Sequence, residues 1–195
     1  MFTLSEPTSD DVAKFIASQR NLPFTYAEVG ATRFDPVEAP RGFTLDHNRV
    51  LLGNGIELYE RAVEALKQWR QFDLGWVTLV PQGVKLEKDA IVAVKARAVG
   101  TWSLSACRVV YTINEQGPVR RFGFAYGTLP DHVERGEERF LIEWNPLDNS
   151  VWYDILAFSQ PRHPLVRLGS PVARKLQKRF ARDSLAVMKS IANPV

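Results

Sequence analysis

The feature of this sequence that most constrains its fold is a change in hydrophobic period. Between residues 76 and 159, apolar side chains recur at every second position, in short segments separated by turn-forming residues. Because the gaps between segments are of hairpin length, the pattern predicts consecutive antiparallel strands. The predicted strands cover residues 76–80, 91–99, 108–113, 121–128, 139–144 and 151–159.

A long amphipathic helix follows the strands. Ser170 and Pro171 are a capping residue and a first-turn proline, and they predict a helix that runs to about Ala192. One curved sheet buries only one face on itself and needs a cover. We therefore predict an α+β fold of the helix-grip type, in which a curved antiparallel sheet wraps around the long C-terminal helix. Such an arrangement encloses a cavity when the inward side chains do not fill it.

Shorter helices are predicted near the N-terminus, over residues 11–19 and from Gly55 to about Gln71. Prolines interrupt residues 21–40, which we predict to be loop and extended chain. The sequence has 195 residues, ordinary globular composition, no internal repeat and no linker. We therefore expect residues 1–195 to form a single domain.

Cysteine content and hydropathy exclude several classes of protein. Cys107 is the only cysteine, so an internal disulfide and CxxC metal or redox motifs are excluded. No apolar run approaches the ~20 residues of a membrane span, and the first residues carry no secretion signal. We expect a cytoplasmic protein, and no motif indicates a metal or another cofactor.

Four segments of the chain carry a resemblance to a known family: FTYAEVGATR at 24–33, LGNGIELYERAVEALKQW at 52–69, GFAYGTLPDHVERGEERFLIEW at 123–144 and VWYDILAFSQP at 151–161. Together they resemble a family of bacterial and plant proteins catalogued as a domain of unknown function. The string from Gly123 to Phe140 is long and specific. The resemblance covers nearly the whole chain and implies no established reaction.

A weaker resemblance rests on LAFSQPRHPLVRLGSPVARKLQKRF, the last strand, the proline-rich break and the start of the final helix. This segment is similar to the START and birch-pollen-allergen-like superfamily of helix-grip proteins. That superfamily commonly binds lipids, sterols, polyketides or hormones in its cavity, and some members are cyclases or hydrolases. The resemblance implies the fold, and fold alone confers none of these activities.

The densest group of ionisable residues is His132, Glu134, Glu137 and Glu138, which we place in a loop after the strand that ends at Thr128. A histidine and a carboxylate two residues apart could share a proton-transfer role. The alternative is a solvated turn whose acids pair with neighbouring arginines. From this group we predict His132 and Glu134 as catalytic residues.

Two further candidates lie on predicted strands. Tyr126 shares a strand face with aromatic residues, and its hydroxyl needs either a ligand or a backbone partner if that face is inward. Asp154 alternates with Tyr153, so one of these polar groups faces an apolar environment. A carboxyl group there would have a raised pKa and could act as an acid or base. The alternative is that Asp154 faces solvent.

Tyr26 and Arg33 are singled out by the resemblance, and Arg33 could clamp a carboxylate or phosphate. Aromatic residues predicted to line an apolar cavity are Phe124, Tyr126, Phe140, Trp152 and Phe158. We therefore predict the binding of a hydrophobic small molecule. The alternative on the same cavity is a cofactor-independent acid–base enzyme, such as a cyclase, isomerase or hydrolase, that uses Tyr126, His132, Glu134 and Asp154.

The C-terminal region is basic. The net charge is +3, but residues 162–189 contain eight basic residues and one acidic residue. No nucleic-acid motif occurs, so we expect no nucleic-acid partner. A weak contact with an anionic membrane, or docking on another protein, remains the third hypothesis for this helix. The alternative is a solvated helix face whose long side-chain stems cover apolar surface.

Overall fold

The fold is an open, curved antiparallel sheet closed on one face by a C-terminal helix. The computed structural model describes residues 1–34, 37–98, 100–161 and 170–192. The strands within these ranges are β1 (Phe2–Thr3), β2 (Thr44–Asn54), β3 (Val77–Val80), β4 (Ile91–Ala98), β5 (Thr101–Gln116), β6 (Arg120–Thr128), β7 (Glu134–Asn145) and β8 (Ser150–Pro161). They pair in the order β2-β8-β7-β6-β5-β4-β3, and β1 pairs separately with β5.

Helices cover both faces of this sheet. They are α1 (Ser9–Gln19), α2 (Ile56–Lys67) and α3 (Ser170–Ala192), and single turns of 3₁₀ helix lie at Ala31–Arg33 and Arg70–Phe72. Both α2 and α3 contribute buried side chains to the large core on the concave face. In contrast, α1 packs a smaller core against β4 and β5 on the convex face. The predicted helix-grip arrangement is confirmed.

The start of α1 follows its sequence closely. Thr8 caps the helix: its hydroxyl accepts from the backbone N–H of Asp11, whose carboxylate accepts from the backbone N–H of Thr8. This capping box satisfies two backbone donors that the first turn leaves without partners. The helix therefore begins at Ser9, two residues before its predicted start. In the part of the chain that is described, no helix combines the length and hydrophobicity needed to cross a bilayer.

Four strands differ from the prediction. The two-residue strand β1 was not predicted. β2 was not predicted, yet its eleven residues pair with β8 and form one edge of the sheet. β5 begins at Thr101, seven residues before the predicted start. β7 begins at Glu134, so placing Glu134, Glu137 and Glu138 in a loop was wrong. Their charges concealed an alternation that continues directly into the apolar part of the strand.

A glycine explains why this part of β7 approaches β8 so closely. Gly136 has a φ of +147°, and a Cβ there would lie 2.0 Å from the carbonyl oxygen of Phe158. A side chain at this position would therefore push β7 away from β8. Without one, Glu134 and Glu138 flank the glycine on the concave face, while Glu137 points to the convex face.

Candidate functional site

A cavity of about 990 Å³ lies between the concave face of the sheet and α3. This volume is at the upper end of the usual range for ligand pockets, about 300–1,000 Å³. The exposed side chains of Lys178 and Arg182 belong to its wall, so the cavity is connected to the surface. Much of the wall is apolar, and that part includes Phe72, Trp76, Val77, Val94, Ala96, Ile155, Ala157, Leu176, Phe180 and Leu185.

Glu138 is a carboxyl group in this largely apolar wall. It lies directly across from Tyr126 in the pairing of β6 with β7, and the Tyr126 hydroxyl donates to Glu138 Oε2 at 2.7 Å. Burial raises the pKa of Glu138 to about 7, although the hydrogen bond from Tyr126 opposes this effect. Both protonation states of Glu138 are therefore accessible near neutral pH.

Glu134 has a similar environment on the same face of β7. Its Oε2 accepts a hydrogen bond of 2.7 Å from Gln177 Nε2 of α3, and that nitrogen also donates to Ser159 Oγ at 2.8 Å. Burial raises the pKa of Glu134 to about 7 against the opposing effects of Gln177 and Arg174. The side chain of Gln177 thus joins α3 to the sheet at an acid in the cavity wall.

Arg174 lies near these acids but is engaged elsewhere. Its guanidinium group pairs with the carboxylate of Asp46 on β2 in a two-point contact, with Nη2 and Oδ1 2.5 Å apart. The hydrogen bonds that Arg174 donates to Asp46 raise the pKa of Arg174. The charge of Arg174 is consequently balanced by Asp46, and this ion pair ties the start of α3 to the sheet edge.

Hydroxyl groups complete the polar part of the wall. Burial raises the pKa of Tyr126 well above its ordinary value, so this phenol remains protonated. Thr128 Oγ1 is already used by Thr25 and by the backbone of Gly136. Ser105 is 5% exposed and faces the cavity, and within the described ranges its hydroxyl has no hydrogen-bond partner.

His132, which was predicted as a catalytic residue, also belongs to the cavity wall. Its Nδ1 lies 3.0 Å from the backbone nitrogen and 3.1 Å from the backbone oxygen of Glu134. The ring therefore contacts the beginning of β7 through backbone atoms. Of the four predicted catalytic candidates, Tyr126, His132 and Glu134 come together at the cavity.

The fourth candidate, Asp154, lies on the convex face and is 2% exposed, so it neither lines the cavity nor faces solvent. One of its oxygens accepts from Arg139 Nη2 at 3.1 Å, and the other contacts His47 Nε2. The alternation of β8 places Tyr153 on the concave face instead. There its hydroxyl lies 3.0 Å from Ser184 Oγ of α3.

Glu137 anchors the segment 24–34 to the convex face. Its carboxylate accepts from Tyr26 Oη at 2.7 Å, the backbone N–H of Gly30 at 2.7 Å, the backbone N–H of Thr32 at 3.0 Å and the Thr32 hydroxyl. Tyr26 crosses Gly127, where a Cβ would lie 2.1 Å from the phenol oxygen. Tyr26 thus lies on the convex side and is not part of the cavity wall; its role here is to hold the segment.

The predicted ligand-binding residues are divided in the same way. Arg33 lies over the ring of Tyr111, 5.5 Å from its centroid, on the convex side. Trp152 is covered by Arg49 on that side. Phe124 and Phe140 stack in the concave core, with centroids 5.2 Å apart, but do not reach the cavity wall.

Phe158 contributes to the cavity wall, although its ring packs against Tyr26 and Phe43. Sequence reasoning missed Gln177 and Ser105 as residues of the wall. It included Glu138 in the ionisable cluster but did not predict it as a site residue, and extending the alternation of β7 back from Phe140 would have placed it on the cavity face.

The basic residues of α3 are only partly available for external partners. Arg174 pairs with Asp46, and both Arg179 and Arg182 contact Asp183. Arg179 also lies over the ring of Trp76, 4.4 Å from the centroid. Among the described residues, no three His, Cys, Asp or Glu side chains form a group that could hold a metal ion.

Comparison with known proteins identifies relatives and a fold neighbour. A UPF0548 protein of Dictyostelium discoideum is 37% identical over 202 residues, covering 94% of this chain and 92% of that protein. A UPF0548 protein of Deinococcus radiodurans is 36% identical and covers 93% of this chain and 94% of its own length.

Among solved structures, the hypothetical protein jhp0584 from Helicobacter pylori has a similar fold. Its TM-score is 0.54 at 11% identity, and the match covers 88% of this chain and 99% of that chain. This likeness concerns the fold alone. Residues 25–187 match the family model described as Domain of unknown function (DUF1990). Together with the two UPF0548 relatives, this match shows that the chain belongs to the DUF1990 family.

Proposed function

We propose that this protein binds a hydrophobic small molecule in the cavity between the sheet and α3. The observation that carries the proposal is the cavity of about 990 Å³, whose largely apolar wall contains a few polar groups. Apolar surface that remains in contact with water favours an apolar ligand by about 25 cal/mol per Å² buried. The polar groups of Glu134, Glu138 and Tyr126 would fix the orientation of such a ligand.

Filling the cavity tests this proposal. Ala181 is buried in the wall, whereas Ala186, five residues later on α3, is exposed and outside the wall. Binding of Nile red, followed by its fluorescence, should be stoichiometric in the wild type and in Ala186→Phe. We expect Ala181→Phe to weaken it at least about ten-fold, because the phenyl ring occupies the volume that the probe needs.

Ala157→Phe fills the same cavity from β8 and serves as a second test if Ala181→Phe does not fold. Thermal unfolding shows which variants are folded. No binding of Nile red by the wild type would overturn the proposal. So would equal binding by the wild type and a folded cavity-filling variant, because the probe would then bind elsewhere.

The same cavity supports a second candidate function, cofactor-independent acid–base catalysis. The observation that favours it is that Glu134 and Glu138 both have a pKa of about 7, near the value that suits proton transfer at neutral pH. Incubation of dodecan-2-one in D₂O tests for abstraction of a proton next to a carbonyl. Deuterium incorporation that exceeds the buffer rate and disappears in Glu134→Gln would support catalysis. A rate equal to that of buffer would count against this reaction.

A further inference from the structure

Within the described part of the chain, the hydrogen-bond donors to the two acids of the cavity wall are neutral. Glu138 receives one bond from the phenol of Tyr126, and Glu134 receives one from the amide of Gln177. In the ranges that the structure describes, neither carboxyl group forms an ion pair with an arginine or a lysine. Among the same described residues, one oxygen of each carboxyl group has no hydrogen-bond donor.

This arrangement has a physical consequence for the empty cavity. An ionised carboxylate in apolar surroundings is unfavourable unless a cation and sufficient donors compensate its charge. Arg174 does not supply that charge, because its guanidinium group is paired with Asp46. The described residues thus present acceptor oxygens and two potential negative charges, and no arginine or lysine among them is bonded to either acid.

Ser105 adds an independent observation on the opposite part of the wall. Its side chain lies on β5, is 95% buried and faces the cavity without a hydrogen-bond partner in the described chain. A hydroxyl oxygen that faces the cavity without a protein partner can accept a hydrogen bond from a ligand. A ligand that presents polar hydrogens to the cavity would satisfy it.

We propose that the cavity selects a hydrophobic molecule that carries a protonated amine, and that Glu134 and Glu138 provide the counter-charge for its ammonium group. An ammonium group offers up to three donors, which matches carboxylate and hydroxyl acceptors. The hydrocarbon part of the ligand would lie along α3, against Leu176, Phe180 and Leu185. This inference rests on the ligand-binding function proposed above and names the chemical class of its ligand.

The other ionisable groups around the two acids define the electrostatic setting. From the sheet, Asp46, Cys107, Tyr126 and Tyr153 face them, and His132 precedes β7. On α3, the charge of Arg174 lowers the pKa of Glu134, and Lys178 and Arg182 belong to the cavity wall. Arg182 is paired with Asp183, whereas Lys178 is exposed. Lys178 would favour an anionic ligand, so an anion is the competing outcome.

Three probes with the same hydrocarbon chain separate these outcomes: dodecylamine, dodecan-1-ol and dodecanoic acid, titrated calorimetrically below their aggregation concentrations. At pH 8 we expect the amine to bind at least about ten-fold more tightly than the alcohol. The amine should bind about ten-fold more weakly at pH 6, because protons then compete for the acids, whose pKa is near 7. The alcohol should bind equally at both values.

The double variant Glu134→Gln/Glu138→Gln removes both charges with little change in shape. It should lose the preference for dodecylamine over dodecan-1-ol. Glu60→Gln removes an exposed charge outside the cavity wall and should behave as the wild type. The single variants Glu134→Gln and Glu138→Gln replace the double variant if it does not fold, and each should lose part of the preference.

The outcomes distinguish this inference from the proposed function. If none of the three probes binds, the ligand-binding function itself fails. If the alcohol or the acid binds as tightly as the amine, the cavity binds ligands but the inference about the amine is overturned. An amine preference that persists in the double variant also overturns it, because the counter-charge then comes from other residues.

Discussion

The two acids of the cavity should determine how stability depends on pH, and this can be measured without a ligand. Burial raises the pKa of both Glu134 and Glu138 from an ordinary value of 4.5 to about 7. Between these values the folded protein retains protons that the unfolded chain has released. The free energy of unfolding therefore falls as pH rises from about 4.5 to 7 and is unaffected by these groups above and below that range.

The magnitude follows from the size of the shifts. One pKa unit corresponds to about 1.4 kcal/mol, so each shift considered alone amounts to roughly 3 kcal/mol. The charge of Glu134 contributes to the shift of Glu138, and solvent that enters the open cavity screens both groups. For the pair we therefore expect a combined effect of about 2–4 kcal/mol.

Urea unfolding of the wild type and of Glu134→Gln/Glu138→Gln at pH 5 and pH 8 tests this reasoning. The variant should be close to the wild type in stability at pH 5 and more stable by about 2–4 kcal/mol at pH 8. Comparing the two proteins at each pH removes the contribution of all other titrating groups. A stability difference that is the same at pH 5 and pH 8 would refute the assignment of raised pKa values to these acids.

Further predictions concern the convex face and the core. Glu137→Gln places an amide nitrogen among four donors, so it should lower the free energy of urea unfolding by about 2–4 kcal/mol. A loss below about 0.5 kcal/mol would contradict the anchoring role. Gly127→Ala should destabilise by about 1–3 kcal/mol, since its methyl group would displace the Tyr26 hydroxyl. The loss should be smaller in a Tyr26→Phe background, and equal losses would argue against that clash. Both amide atoms of Gln71 are buried without a partner in the described chain. Gln71→Met should therefore raise the free energy of unfolding by about 1–3 kcal/mol and the melting temperature with it. A lower melting temperature would mean that the amide is satisfied.

The sequence predicted the overall fold because its two hydrophobic periods are distinct. Alternation in β6 and β8 and the helical stripe of α3 each survive in the structure with nearly the predicted bounds. β2 was not predicted because its pattern is interrupted by polar residues, as expected for an edge strand with one face near solvent. Its pairing with β8 depends on contacts about one hundred residues away in sequence, which no local pattern reveals.

The candidate site was harder to predict because it depends on which face of a strand each residue occupies. Alternation divides Tyr153 from Asp154, but it does not say which of the two faces is concave. Only tertiary packing answers that question, through the contact of Tyr153 with Ser184 on α3. The segment 24–34 moreover covers the part of the convex face around Arg139, which donates to the backbone oxygen of Thr32. A buried aspartate could therefore lie on the side opposite the cavity.

The neighbouring residues Glu137 and Glu138 show how the structure itself separates a structural acid from a candidate functional one. Glu137 receives four hydrogen bonds from the segment that it anchors, so its carboxylate is fully used within the protein. Glu138 receives one, from a phenol, and faces a cavity. Burial is therefore not the property that distinguishes them. Among the described residues, Glu138 and Glu134, on the same face of β7, each have one neutral donor and no paired cation, and for this reason we propose that they bind the ligand.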